Sequence, residues 1–369
     1  MWIHEHQNWP DFTWDTEVLA SKLAEIRYRQ GRLLGRMETL GFELKQEANL
    51  NTLISDVIKS SAIEGENLNR KEVRSSIART LRIDIAELVP ASRDVEGIVE
   101  MMLDATQHFI KPLTKERLLN WHAALFSTGR SGMRWITVGN WRTLEVGPMQ
   151  VVSGPIGRER LHFEGPSADR LEEEMQSFLH WFNNGHAIDP VLKAGIAHLW
   201  FVTIHPFEDG NGRIARAVSD MALARADGMS DRFYSLSSQI EAERNHYYSQ
   251  LEKQQRGTPE ITVWLEWFLD CLGRAIANAE TALEHVLFKA QLWDKINLKP
   301  VNGRQRLIIN RMLDTDFKGY MNTSKYAKLV KCSNDTALRD IQDLKSRGVL
   351  IQNPSGGRST SYRLTHRVE

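Results

Sequence analysis

Cysteine is nearly absent: Cys271 and Cys332, 61 positions apart, are the only two in 369 residues. A disulfide framework or a cysteine-ligated metal centre is therefore excluded, and both read as inert thiols. No apolar run approaches the roughly 20 residues of a membrane span. The N-terminal stretch MWIHEHQNWPDFTWD lacks the basic region and apolar core of a secretory signal. The expectation is a cytoplasmic chain with no membrane partner. Net charge is missing too: 47 basic and 47 acidic residues balance, so the molecule as a whole is no polyelectrolyte. What remains is length enough for two or three domains with ample core. The 11 tryptophans read as large anchors between helices.

The densest chemistry lies in residues 205–216, HPFEDGNGRIAR. Gly210 and Gly212 can take positive φ and let backbone approach a ligand without a Cβ in the way. A chain turning through Gly210-Asn211-Gly212 into a helix presents unpaired N–H groups at its N-terminus, a ready anion site. Arg213 and Arg216 are three apart, so a helix turns both guanidinia toward that anion. Asp209 is a hard oxygen donor of the kind Mg²⁺ prefers. His205 is the only side chain of the twelve whose ordinary pKa suits proton abstraction near neutrality. Upstream, Asp189-Pro190 caps a helix whose run from Val191 to Ile204 is apolar enough to be buried. Downstream, Ile214, Val218, Met221 and Ala222 keep helical spacing as far as Gly228. The segment reads helix, anion-binding loop, helix. Residue chemistry alone leaves a blander account open, in which a core histidine in a turn precedes an Asx-capped loop. A calcium-binding EF-hand loop fits worse, because its alternating acidic donors and closing glutamate are missing.

At every specified position HPFEDGNGRIAR resembles the Fic-family signature HxFx(D/E)GNGRxxR. The resemblance implies an all-helical catalytic core that transfers a nucleotide monophosphate, usually AMP from ATP, to a protein hydroxyl. It makes His205 the general base, Phe207 a core anchor and Asp209 the Mg²⁺ ligand. Gly210, Asn211 and Gly212 become the anion hole, Arg213 a contact to the outer phosphates and Arg216 a partner of the γ-phosphate. Residues 60–65, SSAIEG, also fit the family's inhibitory pattern (S/T)xxxE(G/N), at the end of a stretch with helical spacing at Leu50, Leu53, Ile54, Val57 and Ile58. The resemblance implies that Glu64 pairs with Arg216 and competes with the γ-phosphate. Glu66, two residues on, is not selected by the pattern. The same Glu64 carboxylate could orient water, so removal of AMP is an alternative direction.

The expected fold is mainly α: an N-terminal helical module (1–100, with the inhibitory helix at 51–65), a Fic core (101–292) and a C-terminal winged helix-turn-helix (298–369). Residues 1–15 read as an extended aromatic arm laid across a groove, followed by two helices broken near Ala48-Asn49. Within the helical core, residues 133–166 have β-branched runs and glycines and predict a hairpin, with arms Met149–Val152 and Arg160–Phe163. In the family a flap at this position pins the target segment by strand addition, which implies docking near 149–163. Ser235–Gln254 resembles the helix beside the adenine, with Asn245, Tyr247 and Tyr248 as pocket candidates. Trp264, Trp267 and Phe268 read as core.

Residues 301–369 carry 13 Lys/Arg against six Asp/Glu, a local excess of seven positive charges. Their order, three helical stretches and then VLIQNP-SGG-RSTSYRL, is that of a winged helix. Ser333 caps the third helix, Thr336, Arg339 and Gln342 face outward, and Arg358 on the wing reaches a phosphate. DNA is one expected partner. Docking or dimer formation is the other, because Asp335, Asp340 and Asp343 would set negative charge on the reading helix. Two functions from different classes follow. One is an autoinhibited adenylyltransferase using ATP and Mg²⁺, acting on a target protein or on itself. The other is a DNA-binding regulator whose core only senses nucleotide.

Overall fold

In the computed structural model the described residues are 1–369 except 86, 156, 185–187, 298, 314–316, 318, 355–359 and 366–369. Arg358 therefore lies outside them. The fold is mainly α, as expected: fourteen α-helices, three short 3₁₀ helices and three two-stranded antiparallel hairpins make up the regular structure of the described residues. The chain forms two compact units, Met1–Glu280 and Thr281–Glu369. The first unit holds both the N-terminal segment and most of the segment read as the core.

At the centre of the first unit, α7 (Pro190–Ile204) packs on α8 (Asn211–Asp227). Asp189 caps α7 by accepting from the Val191 N–H, with Pro190 in its first turn. Of its next fourteen residues, Val191 to Ile204, all but Lys193 are buried, which is what the uninterrupted apolar run requires. Against this pair pack α4 (Arg93–Gln107) and α5 (Lys115–Leu125), both on α8, and α6 (Leu171–Asn184), on α7, while α3 (Arg70–Leu81) packs on α4. Trp264, Trp267 and Phe268 of α11 (Thr262–Asn297) are buried as read, and the Trp264 indole donates to Gly195 O.

The N-terminal helices are α1 (Thr16–Glu38) and α2 (Phe42–Ile63), so the break falls at Thr39–Gly41 and not near Ala48-Asn49. Asn49 is no breaker because its side chain is buried as a tertiary contact. Its Oδ1 accepts from Arg232 N at 2.8 Å and its Nδ2 donates to Asp231 at 3.2 Å. Two turns further along, buried Asp56 accepts from Ser235 Oγ, so α2 is fastened to the rest of the unit through polar groups on one face. The aromatic arm lies where Trp2 meets Phe163 edge-on and Trp9 meets Trp200, with the Trp9 indole donating to Glu174.

Between α5 and α6 come β1 (Arg130–Ser131) with β2 (Arg134–Trp135), a small hairpin the sequence reading did not separate. The expected hairpin follows as β3 (Gln150–Ser153) and β4 (Arg160–Glu164). Ser235–Gln254 is not one helix but two, α9 (Leu236–Ala242) and α10 (Arg244–Gln255), parted at Glu243. Neither proline nor glycine marks this bend. The Glu243 carboxylate is gripped by Arg274 of α11 at 3.0 and 2.7 Å, a tertiary cause that local spacing cannot reveal.

The second unit takes its first core residues from the end of α11, Leu292 and Ile296. It continues through α12 (Gly303–Leu313), α13 (Thr323–Val330), α14 (Asn334–Ser346) and the pair β5 (Leu350–Gln352) and β6 (Tyr362–Leu364). Ser333 caps α14 by accepting from Thr336 N. Asp340 does not lie on the outer face of α14: it is buried and accepts from Arg304, Asn302 and the Tyr326 hydroxyl. Asp343 is held by Gln305 and Arg347. Of the three acids expected to repel a polyanion, Asp335 alone is exposed, on a face shared with Leu338, Arg339, Gln342 and Lys345.

Candidate functional site

The site is built where α7 ends and α8 begins. His205 closes α7 in the left-handed region, φ 52°, with its N–H on Phe201 O at 3.0 Å. A residue with a Cβ holds that conformation at a cost of order 1–3 kcal/mol and only when its surroundings over-determine it. Its Nδ1 is 3.1 Å from Val202 O. A carbonyl only accepts, so Nδ1 carries the proton and Nε2 presents a lone pair. Burial pushes the imidazole down to about 4, against a weaker upward pull from the Val202 carbonyl, so the ring is neutral at pH 7.

Phe207 is fully buried and stacks on His122 at 4.1 Å between centroids, the anchor expected of it. Asn211 enters the loop through its backbone, in the first turn of α8. Its side chain does not face an anion but closes the loop on itself, Oδ1 accepting from Phe207 N at 3.0 Å and Nδ2 donating to Phe207 O at 2.8 Å. What Asn211 offers an anion is its backbone position in the first turn of α8. Gly210 caps that turn at φ 80°, where a Cβ would lie 2.8 Å from the Phe126 ring. Asp209 accepts from Gly210 N at 2.6 Å and from the Ser131 hydroxyl of β1. Among the described residues no cluster of three His, Cys, Asp or Glu could hold a metal by itself. A single half-buried carboxylate beside a phosphate cradle still fits Mg²⁺, which is usually held by one or two carboxylates plus substrate phosphates and water.

The first turn of α8 meets the end of α2. The Glu64 carboxylate lies against Gly212 so closely that a Cβ there would be 2.2 Å from Oε1. Glu64 Oε1 accepts from Arg216 Nη2 at 2.8 Å, and Ser60 accepts from the same guanidinium at its hydroxyl (2.9 Å) and its carbonyl (2.8 Å). Arg216 is 1 % exposed, and its Nη1 and the Nε of Arg213 are buried without a hydrogen-bond partner. Such buried, unsatisfied cationic donors favour an anionic ligand.

Glu66, passed over by the sequence pattern, pairs with Arg213 at 2.7 Å. The signal was present in Gly65. At φ 88° it ends α2 with Gly65 N on Ala62 O and Glu66 N on Ser61 O, the Schellman reversal, which turns the chain back so that both acids face α8. Tyr248 of α10 reaches Ile63 O and Glu64 Oε2 at 3.3 and 3.4 Å, whereas Tyr247 is buried against His198 and Asn245 is exposed. Of the three adenine-pocket candidates, Tyr248 reaches Glu64 and Tyr247 lies beside Arg216.

A helix start lined by two arginines, with a neutral histidine before it and a carboxylate within the loop, is an arrangement that can hold an anion. Residues 112–223 match the Fic/DOC family. Residues 2–83 match a domain of unknown function (DUF4172). Among curated relatives, protein adenylyltransferase fic-1 of Caenorhabditis elegans is 27% identical over 174 residues, 46% of this chain and 31% of that one. Protein adenylyltransferase Fic of Drosophila virilis is 30% identical over 131 residues, 34% of this chain and 25% of that one. The chain thus spans about a third or less of the length of these relatives. A Fic family protein of Desulfovibrio desulfuricans G20 shares the fold over 98% of this chain and 99% of its own, with TM-score 0.56 at 19% identity. A Fic domain containing signaling protein of Bacteroides thetaiotaomicron VPI-5482 does so over 70% and 96%, with TM-score 0.50 at 20% identity.

Proposed function

We propose that the protein is an autoinhibited protein adenylyltransferase, which moves AMP from ATP to a Ser, Thr or Tyr hydroxyl of a target protein or of itself. The observation that carries this reading is the convergence of Glu64, Arg216 and the α8 start beside a histidine with a free Nε2. The hydroxyl oxygen attacks the α-phosphorus, its proton passes to His205 Nε2, and the bond to the β-phosphate oxygen breaks with pyrophosphate leaving. Arg213, Arg216 and the first N–H groups of α8 balance the charge on the departing oxygens. Asp209 would hold Mg²⁺, which when bound supplies further neutralisation of that charge. The target segment adds along the β3–β4 hairpin near 149–163.

The test uses the Glu64→Gly protein with cell lysate and ATP labelled on either the α- or the γ-phosphate. Label on protein from the α position alone supports AMP transfer; label from γ shows phosphate transfer instead. Wild-type protein that strips AMP from such adducts, where Glu64→Gly does not, would select the reverse reaction.

A pH dependence follows from the depressed imidazole. The base is competent only when neutral. With the folded-state value pushed down to about 4, activity is present above that value and is lost as pH falls through it. Besides burial, Arg142 depresses the ring and Asp209 and Glu64 raise it, so removing Glu64 does not move the acidic limb upward. The kcat/KM profile of Glu64→Gly is expected to bend near 4; a bend near the ordinary 6.5 would show that the ring is not in this environment.

For the second unit the burial of Asp340 and the pairing of Asp343 with Arg347 favour a winged helix that binds duplex DNA through α14. Full-length protein is expected to lose at least about ten-fold in duplex affinity between roughly 50 and 200 mM salt, with Arg339→Glu weakening it further. Absence of binding at the lower salt would leave protein docking or a homodimer as the role of this unit.

A further inference from the structure

We infer that Arg142 is a positioning residue for the histidine base: it holds the backbone turn on which His205 sits, and so the aim of Nε2 at an incoming hydroxyl. The inference rests on the reading of His205 as the transfer base.

Arg142 lies in the segment between β2 and β3, 63 residues from His205 in sequence, and is 5 % exposed. Its guanidinium pairs with no carboxylate among the described residues. It spends its donors on carbonyls instead: Nε to His205 O at 2.8 Å, and Nη2 to Pro166 O at 2.5 Å and Ile204 O at 3.4 Å. Its backbone N–H donates to Pro206 O at 2.9 Å. Three consecutive residues, 204 to 206, are thus held by one side chain and its own amide.

The physical reason for a cation here is the end of α7. The last carbonyls of a helix have no intrahelical donor, and the helix C-terminus carries partial negative charge, so a buried guanidinium satisfies both. Its fork also reads direction. Nε on His205 O and Nη2 on Ile204 O fix the orientation of the two peptide planes that flank the left-handed residue, a conformation that needs such over-determination. From that backbone the ring is fixed in turn by Nδ1 on Val202 O. The charge survives burial, which lowers the guanidinium only to about 10. Gly165 lies tight against it, a Cβ there being 3.4 Å from Nη2 and 3.7 Å from the His205 Cβ, so the end of β4 closes the same cage.

The experiment compares Arg142→Ala and Arg142→Lys in the Glu64→Gly protein. Turnover is expected to fall about 100-fold in Arg142→Ala, the effect of roughly 1 Å of misplacement, while the affinity for a non-transferable ATP analogue stays unchanged. Arg142→Lys, which can cap one carbonyl but cannot fork, falls less, and added guanidinium restores part of the Arg142→Ala loss. Nitrogen shifts of the His205 ring give a reading independent of transfer: the Nδ1–H tautomer in Glu64→Gly, and a mixture in both Arg142 variants. Full turnover in both variants, or a loss confined to nucleotide affinity, overturns the inference, as does an unchanged tautomer. If Arg142→Ala does not fold, Arg142→Lys carries the same comparison. A Glu64→Gly protein that transfers nothing, yet whose ring responds to both substitutions, sinks the proposed function and supports the positioning role.

Discussion

Glu64→Gly is expected to raise AMP transfer on the order of 100- to 1000-fold, the reciprocal of a competent fraction of about one in a hundred to one in a thousand. The Glu64 carboxylate occupies, at 2.8 Å, the Arg216 donor that the proposed function gives to the γ-phosphate, and lies against Gly212 at the start of α8. Both are anion positions, and a nucleotide cannot share them with a fixed carboxylate. Removing the side chain leaves a buried arginine with one partner fewer, which sharpens its demand for phosphate. Glu66→Ala alone should raise transfer less, because Glu66 is about half exposed and engages Arg213 only. The double variant is expected to exceed either single one. Initial rates with α-labelled ATP measure all three, and an unchanged rate in Glu64→Gly would remove the inhibitory assignment.

His205→Ala in the Glu64→Gly background is expected to lower transfer by about 10²–10⁴-fold, the range for loss of a general base. Nucleotide binding should persist, since Arg213 and Arg216, whose carboxylate partners are Glu66 and Glu64, keep their places without the imidazole. The substitution also relaxes the left-handed backbone only slightly, because alanine retains a Cβ. Calorimetric binding of an ATP analogue alongside the rate assay separates the two effects. Transfer that survives at the parental rate would mean that the hydroxyl proton leaves by another route.

Much of this site is legible in the sequence because its parts are local. Twelve consecutive residues hold the proposed base, the loop and the proposed cradle, and Asp189-Pro190 and Gly210 mark the helix ends that flank them. Glu64 is legible only through a resemblance, since nothing in its own neighbourhood says which arginine it meets. The parts that escaped are those that depend on chain reversal or distant packing. Glu66 faces α8 only because Gly65 turns the chain back, and Asn211 turns inward because the loop leaves the N–H and C=O of Phe207 for it to satisfy. Asp340 reads as surface charge on a helical wheel until Arg304, Asn302 and Tyr326 are brought to it by the fold. Fold class was the easier problem, because apolar spacing over long runs such as Val191–Ile204 permits little but a buried helix.

The Schellman turn at Gly65 has a kinetic meaning as well as a geometric one. Glu64 and Glu66 are tethered ligands, and a short tether presents its ligand at an effective concentration in the millimolar range or above. In the proposed function the competitor of ATP would then always be present, at a level set by the stiffness of α2 and its anchors at Asn49 and Asp56 rather than by expression. A partner or modification that loosens those anchors dilutes the competitor without touching a charge. Sensitivity to cellular ATP is then tuned at the far end of the helix, two to four turns from the carboxylates it governs.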